Sequence, residues 1–302
     1  MLKDDEELVK RYFMFGSRFG GELSEGTQHE YMAAYNDLLN FTKKPMKETT
    51  EEDIENFCTF LKSRNKRKRY GNTTDKKMRN TTIRTRINEL KGLFRYMTDK
   101  GMIKENPIKV KFKQDPEKEI RILKQILSHE EVDRLFEIIK NPRDSCLFGL
   151  LYANGLRISE TLDLKKDDID FQKGVMIIHG KGDKYRINEL KACIIRRLQL
   201  WLTLREDLIS KDCEYIFVTN KGQRLSSNAA RKLFKKYCEL AKIEKKVTIH
   251  SLRHTHITHS IEFGIPLPEI AYNVGHNRIN TTMIYTHVTQ MNRAYLSKFR
   301  DF

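Results

Sequence analysis

The sequence predicts a mainly helical chain with a small β-sheet, divided into an all-helical N-terminal domain over 1–107 and an α+β C-terminal domain over 127–302. Three observations carry this. Apolar residues recur at three- and four-residue steps through most of the chain, the spacing that gives a helix one buried face. Strand patterns are confined to a short region between 175 and 218. Asn106-Pro107 is followed by a charged, aperiodic stretch containing Pro116, which reads as a linker over 108–126. A length of 302 residues accommodates two ordinary domains, and a hydrophobic fraction of 39% is enough to give each a core.

In the N-terminal part, a short helix is expected near Glu7–Phe15, then a glycine-rich loop. Thr27 is placed to cap a helix running to about Phe41, with Tyr31, Ala34, Tyr35, Leu38 and Leu39 on one face. Thr50 followed by Asp53 starts another, with Ile54, Phe57, Cys58 and Leu61 inward. The run Lys62–Arg69 holds six basic residues in eight and, with Gly71-Asn-Thr-Thr behind it, reads as a loop. From Lys77 to Lys100 the residues Ile83, Ile87, Leu90, Leu93, Phe94 and Met97 define a helix, flanked by Arg79, Arg84, Arg86, Lys91 and Arg95.

The C-terminal part opens on a capping box, Ser128-His-Glu-Glu131. An apolar helix over 144–154 ends at Gly155, with Arg157 just beyond it and Glu160 in a new helical turn. Val175–His179 and Tyr185–Asn188 flank Gly180-Lys-Gly-Asp as a β-hairpin with Lys181 at its turn. Leu190–Leu204 is expected to be a helix, Tyr215–Val218 a strand, and Ser227–Lys242 a basic helix. Val247–Phe263 carries His250-Ser-Leu-Arg-His254, Pro268–Val274 leads to Gly275-His276, and Ile279–Thr286 carries Tyr285.

A formal net charge of +16 points to a polyanionic partner, of which nucleic acid is the commonest. Cys58, Cys146, Cys193, Cys213 and Cys238 are unclustered, which fits reduced thiols and a cytoplasmic protein, not a disulfide frame or zinc module. Met1–Glu7 lacks the apolar core of a secretory signal, and no apolar run of about 18 residues occurs, so no membrane span is expected. No G-x-x-x-x-G-K-[ST] loop is present, so no nucleotide cofactor is expected.

The residue types that remain suit phosphoryl transfer without a metal. Arginine donates two parallel hydrogen bonds to phosphate, histidine moves protons near neutral pH, and tyrosine can serve as a covalent nucleophile. His250 and His254 share a helical face, but H-E-x-x-H is absent, and no metal site is expected.

Gly155-Leu-Arg157-Ile-Ser-Glu160, the Gly180-Lys-Gly-Asp-Lys-Tyr-Arg186 hairpin, His250-Ser-Leu-Arg-His254, Gly275-His276 and Tyr285 nine residues later occur in that order. In this the chain resembles the tyrosine recombinases, or phage-integrase family. The resemblance implies a two-domain DNA clamp, a helical core-binding domain followed by a catalytic domain. It implies a homo-tetramer on double-stranded DNA, with the 288–302 tail docking on a neighbouring protomer, although the helical spacing of Val288, Met291, Tyr295 and Phe299 equally fits packing on its own domain. Arg157 and Arg253 would grip one scissile phosphate. Tyr285 would attack it, Lys181 would protonate the leaving oxygen, His250 would assist proton removal or touch the phosphate, His276 would bond a phosphate oxygen, and Glu160 would orient the cations. Lys184 is a rival for the acid role, and Tyr272 and Tyr295 for the nucleophile. Lys66, Arg67, Lys68, Arg69, Arg79, Arg84 and Arg86 would lie against DNA phosphates, although a solvated basic face is the plainer reading of any charge run. A non-catalytic DNA-binding protein and a nicking-closing topoisomerase are the alternatives on the same scaffold.

Overall fold

The structure, a computed structural model, describes residues 3–15, 23, 25–67, 73–112, 118–180, 185–209, 213–276 and 282–286, with the backbone alone at 3, 4, 66, 67, 73–76 and 118. The chain divides into two compact units, Met1–Gln114 and Asp115–Phe302.

The first unit orders its elements as α1 (Lys3–Phe15), α2 (Glu25–Thr42), α3 (Glu51–Ser63), β1 (Asn65–Arg67), β2 (Thr73–Lys77) and α4 (Asn80–Asp99). Its core is the helical stripes read from sequence: Ala34, Tyr35 and Leu38 of α2, Ile54, Phe57 and Leu61 of α3, and Ile83 through Met97 of α4 are buried together. Thr50 caps α3 with a reciprocal pair, Asp53 N–H to Thr50 Oγ1 at 3.2 Å and Thr50 N–H to Asp53 Oδ2 at 2.9 Å. Thr27 sits inside the first turn of α2, not at its cap. The basic run is not all loop. Its end and the threonines after it pair as an antiparallel ribbon, Asn65 opposite Lys77, and Met78 N–H extends the ladder to Arg64 O. The β-branched Thr73 and Thr74 favour that extended backbone, and α4 therefore begins at Asn80 instead of Lys77.

The second unit runs α5 (Lys118–Leu123), α6 (His129–Ile138), α7 (Pro142–Ala153), α8 (Ile158–Asp163), β3 (Ile169–Asp170), β4 (Val175–His179), β5 (Tyr185–Glu189), α9 (Ala192–Glu206), α10 (Ser227–Leu240), α11 (Ile249–Glu262) and α12 (Leu267–Val274), and residues 282–286 are helical. The three strands form one antiparallel sheet in the order β3-β4-β5. α5 occupies part of the stretch read as linker, and its Ile122 packs on a small cluster of Ile257, Ile270, Val274 and Tyr285. The strand expected at Tyr215–Val218 does not form; only isolated bridges from Tyr215 to Lys165 and from Val218 to Arg224 are present. Side chains take carbonyls that a partner strand would need: Arg205 Nε donates to Tyr215 O at 2.8 Å and Trp201 Nε1 to Ile216 O at 2.9 Å. α11 is buried on nearly every side, with Leu252, Arg253, Thr255, Ile257, Thr258 and His259 all inside, so it is the axis of this unit.

One buried acid tests the packing of the first unit. Burial, reinforced by Glu30, pushes the Glu89 carboxyl up to about 7, against the pull of Arg86. A carboxyl whose pKa is raised on folding loses stability as pH rises from its unfolded value toward the folded one. Glu89→Gln should therefore leave stability unchanged near pH 4 and raise it by roughly 1 kcal/mol at pH 8, after allowance for screening at a partly solvated site. Urea unfolding at the two pH values measures this; equal effects at both would refute it.

Candidate active site

The site is assembled where helices end. α7 stops at Asn154, and Gly155 follows in the left-handed region at φ 60°, turning the chain so that Arg157 becomes the N-cap of α8. A Cβ at Gly155 would come within 2.4 Å of His256 Cδ2 and 2.8 Å of Val274 Cγ1, so only glycine fits. α12 stops in the same way. Gly275 at φ 67° donates to Tyr272 O and His276 N–H donates to Ala271 O, both at 2.9 Å, a Schellman pair that delivers His276 to the pocket. A Cβ at Gly275 would meet the guanidinium of Arg186 at 2.8 Å and that of Arg157 at 3.3 Å.

Glu160 is buried between two arginines. It accepts from Arg157 N–H at 2.9 Å and Arg157 Nη1 at 2.6 Å, and from Arg186 Nη1 and Nη2 at 3.1 and 3.0 Å. Burial raises its pKa, but the Arg186 hydrogen bonds, the Arg157 backbone and the two positive charges outweigh that, and the carboxyl titrates below its ordinary value. Arg157 Nη2 donates to Gly275 O at 2.8 Å, and Arg186 Nε to Asn273 O at 2.9 Å, so both guanidiniums also close the end of α12. Arg253 is buried on α11. Its Nη1 donates to Gly155 O at 2.6 Å, and its buried Nη2 has no hydrogen-bond partner among the described residues. Burial, with Arg157 beside it, lowers its pKa to about 9, which leaves it protonated at neutral pH.

Tyr285 is 4% exposed, and its ring packs with Ile257, Ile270 and Val274. Burial pushes the phenol up to about 12 against the pull of the Arg253 charge. Its hydroxyl lies 2.6 Å from Nδ1 of His254. His250, one turn earlier, is exposed and makes no hydrogen bond to another described residue; partial burial and the charges of Arg231, Arg253 and Arg157 lower its pKa. Nδ1 of His276 lies 2.8 Å from Thr282 Oγ1, and burial, then Arg253 and Arg157, lower its pKa to about 4, so it is neutral in the free protein.

Arg157, Glu160, Arg253, His276 and Tyr285 are thus gathered in one region, with His250 at its rim. Lys181 and its rival Lys184 lie outside the described residues, as do Lys68, Arg69, Tyr295 and the 288–302 tail. Tyr272 is exposed on α12. Lys66 and Arg67 are described as β1 backbone only, and Arg79, at the N-cap of α4, and Arg84, within α4, are exposed. Arg86 departs from the expectation. It is half-buried, paired with Asp37 and donating to Ala33 O, and Arg64 joins the same carboxylate, so its guanidinium fastens α4 to α2.

Two residues of the site were not assigned roles from sequence. Arg186 was part of the hairpin motif, and the strand alternation marks it: on β5 the polar Arg186 and Asn188 point inward while Tyr185 and Ile187 face out. His254 has no role assigned by the sequence, because nothing in its spacing distinguishes it from His250. Among the described residues, His129, His259 and Glu262 bring three potential metal ligands within 4.8 Å of one another. Both ring nitrogens of His259 are already bonded, to Tyr152 OH at 3.0 Å and Leu127 O at 3.1 Å, and none of the three belongs to the site above.

Two arginines on one buried carboxylate, one of them partly open to solvent, beside a buried phenol are a donor set suited to an anion. Residues 125–292 match the phage integrase family, and residues 12–114 the phage integrase SAM-like domain. The chain belongs to the phage integrase family, the tyrosine recombinases. It is 30% identical over 298 residues to the tyrosine recombinase XerC of Oceanobacillus iheyensis, covering 91% of this chain and 95% of that one. It is 29% identical over 286 residues to XerC of Thermodesulfovibrio yellowstonii, covering 88% of each. Its fold is similar to that of the XerH site-specific recombinase bound to a palindromic difH substrate in a post-cleavage complex, with a TM-score of 0.69 and 23% identity over 98% of this chain and 84% of that one.

Arg186→Met should cost about 3 kcal/mol in urea unfolding, because it removes one of two partners from a buried carboxylate. Glu160 has its pKa lowered on folding, so the interaction is present above the ordinary carboxylate value and is lost as pH falls through the folded one. The difference between wild type and variant should accordingly shrink below about pH 4; a pH-independent difference would disprove the electrostatic cause.

Proposed function

We propose that this chain is a site-specific DNA recombinase that breaks and rejoins double-stranded DNA through a 3′-phosphotyrosine at Tyr285. The observation that carries the reading is the position of the phenol. Its hydroxyl is bonded to His254, the neighbour of Arg253, and the charge of Arg253 acts on it. The family membership and the net charge of +16 support DNA as the substrate.

In this reaction Arg157 and Arg253 hold the two non-bridging oxygens of the scissile phosphate and offset the charge that grows as phosphorus becomes five-coordinate. The buried Nη2 of Arg253, without a partner among the described residues, is a donor for one of them. Glu160 and Arg186 hold Arg157 in place from behind. His276 donates from Nε2 to a phosphate oxygen when the Thr282 hydroxyl donates to its Nδ1. His250, at the rim, touches the phosphate. Lys181 supplies the proton for the departing 5′ oxygen. The phosphotyrosine ester keeps the energy of the broken bond, so no nucleotide is required, and the arginines, lysine and histidines lower the barrier electrostatically in place of a metal. Arg79 and Arg84, with Lys66, Arg67, Lys68 and Arg69, lie along the backbone of the duplex, and four protomers join two duplexes in the cytoplasm to insert or excise a mobile element or to resolve dimers.

A pool of nicked duplexes with randomised flanks tests this. The nick lets the short 5′ fragment leave, so a covalent protein–DNA adduct accumulates on a denaturing gel, and sequencing its DNA gives the site. Wild type should form the adduct, with chelator making no difference. Tyr285→Phe should lower adduct formation by at least about 10⁴-fold, the scale of losing a nucleophile. Adduct from Tyr285→Phe would displace the nucleophile assignment, and loss of activity on chelation would require a metal.

A further inference from the structure

We propose that His254 is the general base that takes the phenolic proton of Tyr285. The inference rests on the reading of Tyr285 as nucleophile and adds the group that activates it. The histidine expected to assist from sequence, His250, is exposed and makes no hydrogen bond to another described residue. His254 is half-buried on the inward side of α11, and its Nδ1 is 2.6 Å from the reacting oxygen. Proton transfer needs donor and acceptor heavy atoms about 2.6–3.2 Å apart, so this pair already has the required geometry. The two rings lie 5.7 Å apart between centroids and 30° from parallel, with the imidazole Nδ1 at the hydroxyl.

The need for a base follows from the burial of the nucleophile. A phenol packed against Ile257, Ile270 and Val274 is held in its neutral form, and one guanidinium nearby does not reverse that. Neutral phenol is a poor nucleophile toward a phosphodiester, and its proton must go somewhere as the new bond forms. The groups facing His254 are Arg253 on its own helix, His276 beyond α12, and the Arg157–Glu160–Arg186 cluster behind them. The arginines are cations, Glu160 is saturated by them, and His276 is tied to Thr282, which leaves His254 as the proton acceptor in contact with the hydroxyl.

The step balances without a further reactant. With the ring proton on Nε2, the lone pair of Nδ1 takes the phenolic proton as the oxygen of Tyr285 forms its bond to phosphorus. The bond from phosphorus to the 5′ oxygen breaks, and that oxygen leaves with the proton of Lys181. On rejoining, an incoming 5′-hydroxyl displaces the tyrosine, Lys181 accepts its proton, and the imidazolium of His254 returns one to the phenol. His254 thus touches the reacting atom in both directions.

The test is single-turnover adduct formation on the nicked duplex recovered with wild type. In His254→Asn the amide oxygen occupies nearly the place of Nδ1; it accepts the phenolic hydrogen bond but cannot take the proton. This variant should melt like wild type and form adduct about 100-fold more slowly or worse. Replacing Tyr285 by 3,5-difluorotyrosine, a more acidic phenol, should then restore at least about tenfold to His254→Asn while changing the otherwise wild-type protein far less, because the missing base matters less when the proton leaves more easily. A purely structural histidine would give no such rescue. A His254→Asn rate equal to wild type, or a slow rate that fluorination leaves unchanged, overturns the assignment. Wild type giving no adduct at all overturns instead the reading of Tyr285 on which it stands.

Discussion

The structure depends on one buried carboxylate. Glu160 lies among Arg157, Arg186 and, one layer away, Arg253, three cations that would repel one another in a medium poorer in water than the surface. A single glutamate with both oxygens occupied makes that concentration of charge tolerable and fixes the geometry of Arg157 and Arg186, whose planar guanidiniums are each bonded at two or more points. The excess positive charge is then directed to the face that Arg157 presents to solvent.

Backbone accounting explains why the site forms here. Arg157 and Arg186 donate to carbonyls of Gly275 and Asn273, and Arg253 donates to that of Gly155. These are carbonyls at or beyond the ends of helices, which lack helical partners, and Asn188 Nδ2 also donates to that of Asn273 at 2.8 Å. The arginines therefore join α7, α8, β5, α11 and α12 at one point, and the glycines permit the approach because a side chain at either would strike its neighbours. Several elements are held by the same contacts, so a change at Arg186 is expected to lower stability.

The nucleophile sits in a contrasting environment. Tyr285 belongs to an apolar cluster with Ile257, Ile270 and Val274, and its ring is covered while its oxygen meets α11. Burial holds the phenol protonated in the free protein, against the pull of the Arg253 charge. The same helix carries Arg253 and His254, adjacent residues whose side chains reach the Gly155 carbonyl and the Tyr285 hydroxyl.

Much of this was legible in the chain itself. The helical stripes of the first unit, the capping boxes at Thr50 and Ser128, the β4–β5 hairpin and the order of motifs from Gly155 to Tyr285 follow from local spacing and local chemistry. Local rules fail where a distant side chain intervenes. Arg205 and Trp201 take the carbonyls that a strand at Tyr215–Val218 would have used, and Asp37 binds an arginine that a charge count would assign to DNA. Spacing alone put His250 and His254 on one face of a helix and could go no further. Choosing between them required the packing of residue 285 against α11, a contact across 31 positions of sequence that periodicity within a helix does not encode.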